Sequence, residues 1–276
     1  MEHLCPALRN RECNYMFKEE YLAAAEAAAG KVQFLKTQPM RYFVMSVLAG
    51  MFIGFGVLLA YSVGGQLAGS PATKLIMGCV FGVALSLVII AGAELFTGNT
   101  FSMTAGLMHR KIRWEDALWL WAVCWAGNLV GGVLLAWLYH LTGLGTGQVA
   151  AFMASGALTK MTAGGVPLFT RGILCNFLVC LAVWCSIRVK DSAGKLIMTW
   201  WCLLAFITTG FEHSVANMTL LSAALMEPAG VELTMTGFWF NLLIVTLGNI
   251  VGGVVFVGLA YGYAAGAFEK ESTELS

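Results

Sequence analysis

The stretch AGAELFTGNT, Ala91 to Thr100, closes a long apolar run with one carboxylate, two glycines and a polar Thr-Gly-Asn-Thr tail. In water it would be an ordinary helix end. In lipid, a bare charge or an unpaired backbone group costs on the order of 3–10 kcal/mol, so such a break is tolerated only where it lines a protein cavity. The chain repeats the break. Thr209 to Met218 reads TGFEHSVANM, with Gly210, Glu212 and Asn217 each 118 positions after Gly92, Glu94 and Asn99. These two interrupted segments are the expected functional centre.

Composition sets the solvent. Of 276 residues, 59% are hydrophobic and 11% charged, and mean hydropathy is +0.77. A soluble domain carries roughly 25% charged residues, so the chain reads as an integral membrane protein. A net charge of +1 gives no bulk field for nucleic acid. Cys79, Cys124, Cys175, Cys180, Cys185 and Cys202 fall in apolar runs without CxxC spacing and read as small core residues. No metal or cofactor is asked for. The first 38 residues are charged and lack the apolar centre of a cleavable signal.

Six apolar runs approach the roughly 20 residues a spanning helix needs: about 40–63, 73–96, 114–141, 166–189, 196–208 and 237–263. The second and fifth continue briefly, over about 100–109 and 214–226, as the far halves of broken helices. Ten-residue alternating strands are absent, which argues against a barrel. Residues 1–38 form a leader and an amphipathic helix near Glu19–Leu35, lying on the membrane or capping the first span. Met16-Phe17-Lys18 reads as a natural start, with Met1–Tyr15 outside the pattern. The channel domain spans 39–264, with repeats at about 39–141 and 166–264, and 265–276 is a tail.

A second duplicated string supports the repeat. GNLVGGV at 127–133 returns as GNIVGGV at 248–254, 121 positions later. Three spans per half make the second half enter from the opposite side, giving an inverted 3+3 repeat with its site between the broken helices. Glycines at this spacing also let helices pack closely. Lysine and arginine place the termini. Thirteen lie on the side of the chain ends, and Lys74, Lys160 and Arg171 lie opposite. Both termini are therefore expected in the cytoplasm.

Ionisable residues in the spans and their breaks are few: Glu94, Glu212 and His213. The glutamates, with Asn99 and Asn217, read as supports at the breaks, each carboxylate accepting freed helix-end N–H groups. A metal site is disfavoured by the lack of ExxH spacing. His213 stands where the first half has Leu95 and changes charge near neutral pH. Asn176 and Asn249 are buried amides that could meet the freed backbone or His213. Thr97 and Thr100 offer hydroxyls. Phe81, Leu85, Leu95 and Phe206 could narrow a path or simply pack. Lys160 could draw anions into a vestibule.

Taken together, AGAELFTGNT, GNLVGGV, CNFLVCLAVW (175–184), GFEHSVANMTL (210–220) and GNIVGGV resemble the formate/nitrite transporter family over about 16–268, most closely its nitrite branch. The resemblance implies an all-α, aquaporin-like protomer in a homopentamer in the bacterial inner membrane. It makes Thr97 the loop threonine facing the central His213. Asn176 and Asn249 match the pore asparagines, Lys160 the vestibule lysine, and Phe81, Leu85, Leu95 and Phe206 the constriction. Formate channels usually carry Ser-Thr after the loop threonine. Here Gly98-Asn99-Thr100 follows, which points to nitrite or hydrosulfide.

The expected function is a channel or proton-coupled carrier for small monovalent anions, with nitrite favoured. The anion takes a proton near His213, directly or through water, and passes as the neutral acid. The partners are then the anion, protons and the lipid bilayer. One rival is an aquaporin-type neutral-solute channel, which would need the paired Asn-Pro-Ala breaks this chain lacks. Others are a membrane enzyme using Glu94, Glu212 and His213, and a structural membrane subunit.

Overall fold

A computed structural model describes residues 16–269; the expected leader Met1–Tyr15 and the end of the tail lie outside them. The described residues form ten helices: α1 Lys18–Thr37, α2 Pro39–Gln66, α3 Thr73–Gly92, α4 Phe96–Met108, α5 Trp114–Leu141, α6 Gly147–Thr162, α7 Gly165–Arg188, α8 Ser192–Thr209, α9 Ser214–Met226 and α10 Met235–Ala264. Six of them, α2, α3, α5, α7, α8 and α10, are long and apolar enough to cross a membrane. The protein is a multi-pass membrane protein, and Phe17 and Tyr261, near the two ends of the described residues, have ring centroids 5.7 Å apart.

Local chemistry sets the boundaries. Pro39 occupies the first turn of α2, where its missing N–H has no intrahelical partner to lose. Asp191 caps α8 by accepting the Gly194 N–H at 2.6 Å, and Thr234 caps α10 through the Gly237 N–H at 3.0 Å. The two breaks are built alike. Gly92 and Gly210 both sit at φ +81°, the left-handed region that ends a helix without a Cβ clash. Three residues then run into the next helix. The last turn of α3 is π-helical, over Val88–Gly92, and α10 has a π-helical stretch at Val254–Leu259.

The ten helices repeat as five and five. The sequence pattern names no element over α6, because its sixteen residues cannot span. Yet Met153, Ala157 and Met161, four residues apart, form a buried stripe with Ala150 and Ala154. By chain order α6 is the counterpart of α1, which extends each half by one helix. The buried face of α1 (Tyr21, Ala24, Ala25, Ala28, Val32, Leu35) packs on the bundle. Lys36 reaches Asp116 at 2.6 Å and Lys111 reaches Glu26 at 2.7 Å, tying α1 to the α4–α5 corner. The Tyr21 hydroxyl donates to the Gly258 carbonyl at 2.8 Å, in the π-helical stretch of α10.

The duplicated GNxVGGV strings pack the two halves. A Cβ on Gly131 would strike the Val47 carbonyl of α2, and one on Gly252 would strike the Ile173 carbonyl of α7. The next glycine of each string faces a short helix of the other half. Gly132 abuts Thr219 on α9, and Gly253 abuts Thr100 on α4. The strings are therefore both a packing motif and a mark of duplication.

Candidate functional site

The N-termini of α4 and α9 converge inside the bundle. Thr97, in the first turn of α4, places its Oγ1 3.0 Å from Nε2 of His213, the N-cap residue of α9. Thr97 is fully buried and His213 is 3% exposed. The other ring nitrogen of His213, Nδ1, accepts the Ala216 N–H at 3.1 Å. That bond fixes the neutral tautomer: Nδ1 holds its lone pair for the backbone and Nε2 carries the hydrogen toward Thr97. An imidazolium would have to give up this cap, at the positive end of a helix.

Around this pair each break is held by a matched set of polar side chains. Asn128 Oδ1 accepts the Phe96 N–H at 2.9 Å, while its amide donates to the carbonyls of Ser46 at 2.7 Å and Glu94 at 3.0 Å. In the second half Asn249 Oδ1 accepts the Ser214 N–H at 2.9 Å and its amide donates to Gly172 at 2.8 Å and Glu212 at 3.0 Å. One freed helix-end N–H in each half, that of Phe96 and that of Ser214, is thus met by Asn128 and by Asn249. The Glu94 and Glu212 side chains, expected to do this, do something else. A planar amide offers a donor and an acceptor on one end, which matches a break that frees both N–H and C=O groups.

Each glutamate pairs with a lysine and an asparagine. Glu212 Oε2 accepts Lys160 Nζ at 2.8 Å and Asn217 Nδ2 at 2.7 Å. Glu94 Oε2 accepts Lys31 Nζ at 2.9 Å, Asn99 Nδ2 at 3.0 Å and the Tyr42 hydroxyl at 3.2 Å. Lys160 is therefore a paired residue on α6, and Lys31 on α1 is its counterpart. Sequence reading singled out neither Lys31 nor Asn128. The repeat could have found Asn128, which lies 121 positions before Asn249, but not Lys31, which lies 129 before Lys160 and off the repeat spacing.

Asn176 also lies in the interior, fully buried. Its amide donates to Thr100 Oγ1 at 2.9 Å and the Asn249 carbonyl at 2.6 Å, with a longer contact to the Thr97 carbonyl at 3.3 Å. It joins the halves, and none of these hydrogen bonds goes to His213.

A cavity of about 490 Å³ opens on the face away from the chain ends and reaches His213. Phe81 and Phe206 line it, their rings edge-to-face at 5.6 Å, and Phe206 stacks on the His213 ring at 5.9 Å. Lys160, Glu212 and Asn217 line it too. Leu85 and Leu95 are buried in the core and are not among its lining residues, nor are Thr97, Asn176 and Asn249. Among the described residues no cluster of His, Cys, Asp and Glu could hold a metal.

A bundle of membrane-crossing helices, with two broken helices meeting at a capped histidine beneath an open vestibule, defines a membrane transport protein. The profile of the formate/nitrite transporter family matches residues 18–263, and the chain belongs to that family. It is 43% identical over 260 residues to the nitrite transporter NirC of Salmonella typhimurium, covering 92% of this chain and 94% of that one. An FNT family ion channel of known structure superposes with a TM-score of 0.86 at 42% identity, over 90% of this chain and 99% of that chain. A pentameric formate channel with formate bound gives 0.72 at 30% identity, over 81% and 96%. Family membership sets aside the enzyme and scaffold readings.

Proposed function

We propose that the chain conducts small monovalent anions, with nitrite favoured, as the neutral acid. The observation that carries this is the Nε2–H of His213, fixed by its own helix cap, at the inner end of an open vestibule. Identity to a nitrite transporter favours nitrite over formate. Formate is the second reading, supported by the formate-bound relative. The same relative supports assembly as a homopentamer. The excess of lysine and arginine beside the chain ends supports cytoplasmic termini in a bacterial inner membrane, so the vestibule faces outward.

In this mechanism the anion reaches the floor of the vestibule still hydrated. Passing Phe81, Phe206, Leu85 and Leu95 as an ion would cost at least ~3 kcal/mol. The barrier falls if the anion is neutralised first. His213 cannot be the net source of the proton in its neutral form, because losing Nε2–H would leave an imidazolate. Its role is to turn its Nε2–H from Thr97 Oγ1 to the anion while water in the vestibule supplies the proton. Thr97 orients the ring. Asn176 and Asn249 hold the two half-helices in register. Glu94, Glu212, Asn99 and Asn217 support the breaks, and Lys160 keeps Glu212 neutralised.

The test is nitrite uptake into proteoliposomes at several pH values. Wild type gives saturable, acid-stimulated flux. A hydrogen bond to a charged group is worth ~1.5–3 kcal/mol, so His213→Asn lowers flux by about 10–100-fold while acid stimulation persists. Loss of the pH dependence would make His213 the proton carrier and overturn the hydrogen-bonding role. Absence of nitrite flux in wild type would overturn the function.

A further inference from the structure

The vestibule contains all three cationic side chains of its face: Lys74, Lys160 and Arg171. They are not equivalent. Lys160 is spent on Glu212 at 2.8 Å, and the two charges cancel at any distance beyond a few ångströms. Glu212 is the one carboxylate lining the cavity among the described residues. Lys74, at the start of α3, and Arg171, early in α7, make no ion pair or side-chain hydrogen bond among the described residues. The acids nearest in sequence on this face stand apart. Glu227 sits beside His140 at 4.0 Å and Glu232 is exposed in the α9–α10 loop, and neither lines the cavity. The vestibule therefore carries two uncompensated positive charges.

Their placement fits capture of an anion. Lys74 and Arg171 come from helices of opposite halves, and both are solvent-exposed. The Arg171 carbonyl accepts the Glu212 N–H at 3.3 Å, so Arg171 is joined through backbone to the loop that carries His213. The walls between are apolar: Val57, Met77, Phe81, Phe152 and Phe206. Charges on a concave, low-dielectric wall focus their field into the cleft and raise the local anion concentration by 10–1,000-fold in order of magnitude.

From this arrangement we infer that Lys74 and Arg171, and not the paired Lys160, concentrate the anion in the outer vestibule and set the half-saturation concentration of inward flux. The inference rests on the anion-channel reading above. Its substrate class is any small monovalent anion, because neither side chain is positioned as part of a closed binding pocket. The two residues act ahead of the His213 step and touch the anion only in passing.

The experiment is nitrite uptake into right-side-out membrane vesicles at low and high ionic strength. The Debye length falls from about 30 Å at 0.01 M to about 8 Å at 0.15 M. In wild type the half-saturation concentration rises with salt. In Lys74→Gln/Arg171→Gln it is raised about tenfold at low salt and no longer responds to salt, while maximal flux changes far less. Lys74→Arg/Arg171→Lys preserves charge but changes shape, and it retains the wild-type salt response. A double Gln variant with wild-type half-saturation and salt response overturns the inference. So does a Lys/Arg exchange that behaves like the Gln pair, because shape and not charge would then matter. Nitrite flux in wild type is the common control, and its absence would instead overturn the anion-channel reading.

Discussion

Replacing Lys160 by Met is expected to destabilise the fold far more than replacing Lys31 by Met, although the two lysines are counterparts. The difference comes from burial. Lys160 and Glu212 are 17% and 3% exposed at their side chains, whereas Lys31 and Glu94 are 28% and 14% exposed. Without Lys160, Glu212 keeps only the Asn217 amide. A buried pair broken on one side costs ~3–5 kcal/mol, because one charge is stranded. Without Lys31, Glu94 keeps Tyr42 and Asn99 as donors and has better access to water, so the loss is about 1–2 kcal/mol. At about 2 °C per kcal/mol for a chain of this size, the midpoints fall by roughly 6–10 °C and 2–4 °C. Thermal unfolding of detergent-purified protein, followed by tryptophan fluorescence, reads the shifts. Removing both charges, Lys160→Met/Glu212→Gln, recovers most of the loss. The reasoning fails if Lys160→Met shifts the midpoint no more than Lys31→Met. It fails equally if the double variant loses the sum of its single losses.

Two further outcomes follow from the repeat. Asn128→Ala and Asn249→Ala each strand one N–H and two carbonyls, so each is expected to cost about 3–9 kcal/mol at about 1–3 kcal/mol per buried group; denaturation midpoints that differ widely between them would refute the matched-cap account. Gly131→Ala and Gly252→Ala force a methyl against the Val47 and Ile173 carbonyls, and overpacking of this kind costs about 1–3 kcal/mol. Alanine at the more open Gly98 is the control, and equal thermal stability of all three would refute the close-packing argument.

The spans were legible because lipid enforces length and apolarity together. The breaks were legible because polar residues inside an apolar run need a reason to be there. Trp114–Leu141 and Ser214–Met226 were placed to the residue. What escaped was set by other physics. The α6 helix is too short to span, and its stripe of Ala and Met is a weak signal between glycines. Polarity of the breaks was visible, but not how it is satisfied. A carboxylate beside freed N–H groups looks sufficient on paper, yet only coordinates reveal that Asn128 and Asn249 reach three backbone groups each. Likewise, Lys160 looked like a free surface charge because Glu212 is 52 positions away. Thr97 and His213 meet at 3.0 Å through two helix starts that lie 116 positions apart in the chain.

The division of these bonds between the halves bears on how such a chain could arise. Every partner of Asn128, and the group Lys31, Glu94, Asn99 and Tyr42, lies before residue 141; every partner of Asn249, and the group Lys160, Glu212, Asn217 and Asn241, lies after residue 147. Around the breaks the contacts that cross include Thr97 with His213, and Asn176 and Cys180 with Thr97 and Thr100. An ancestor of half the length, inserting in both orientations and pairing with itself, would have had its internal chemistry complete. Fusion then freed the two copies to diverge where they meet. That is where the second half carries His213 and the first carries Leu95.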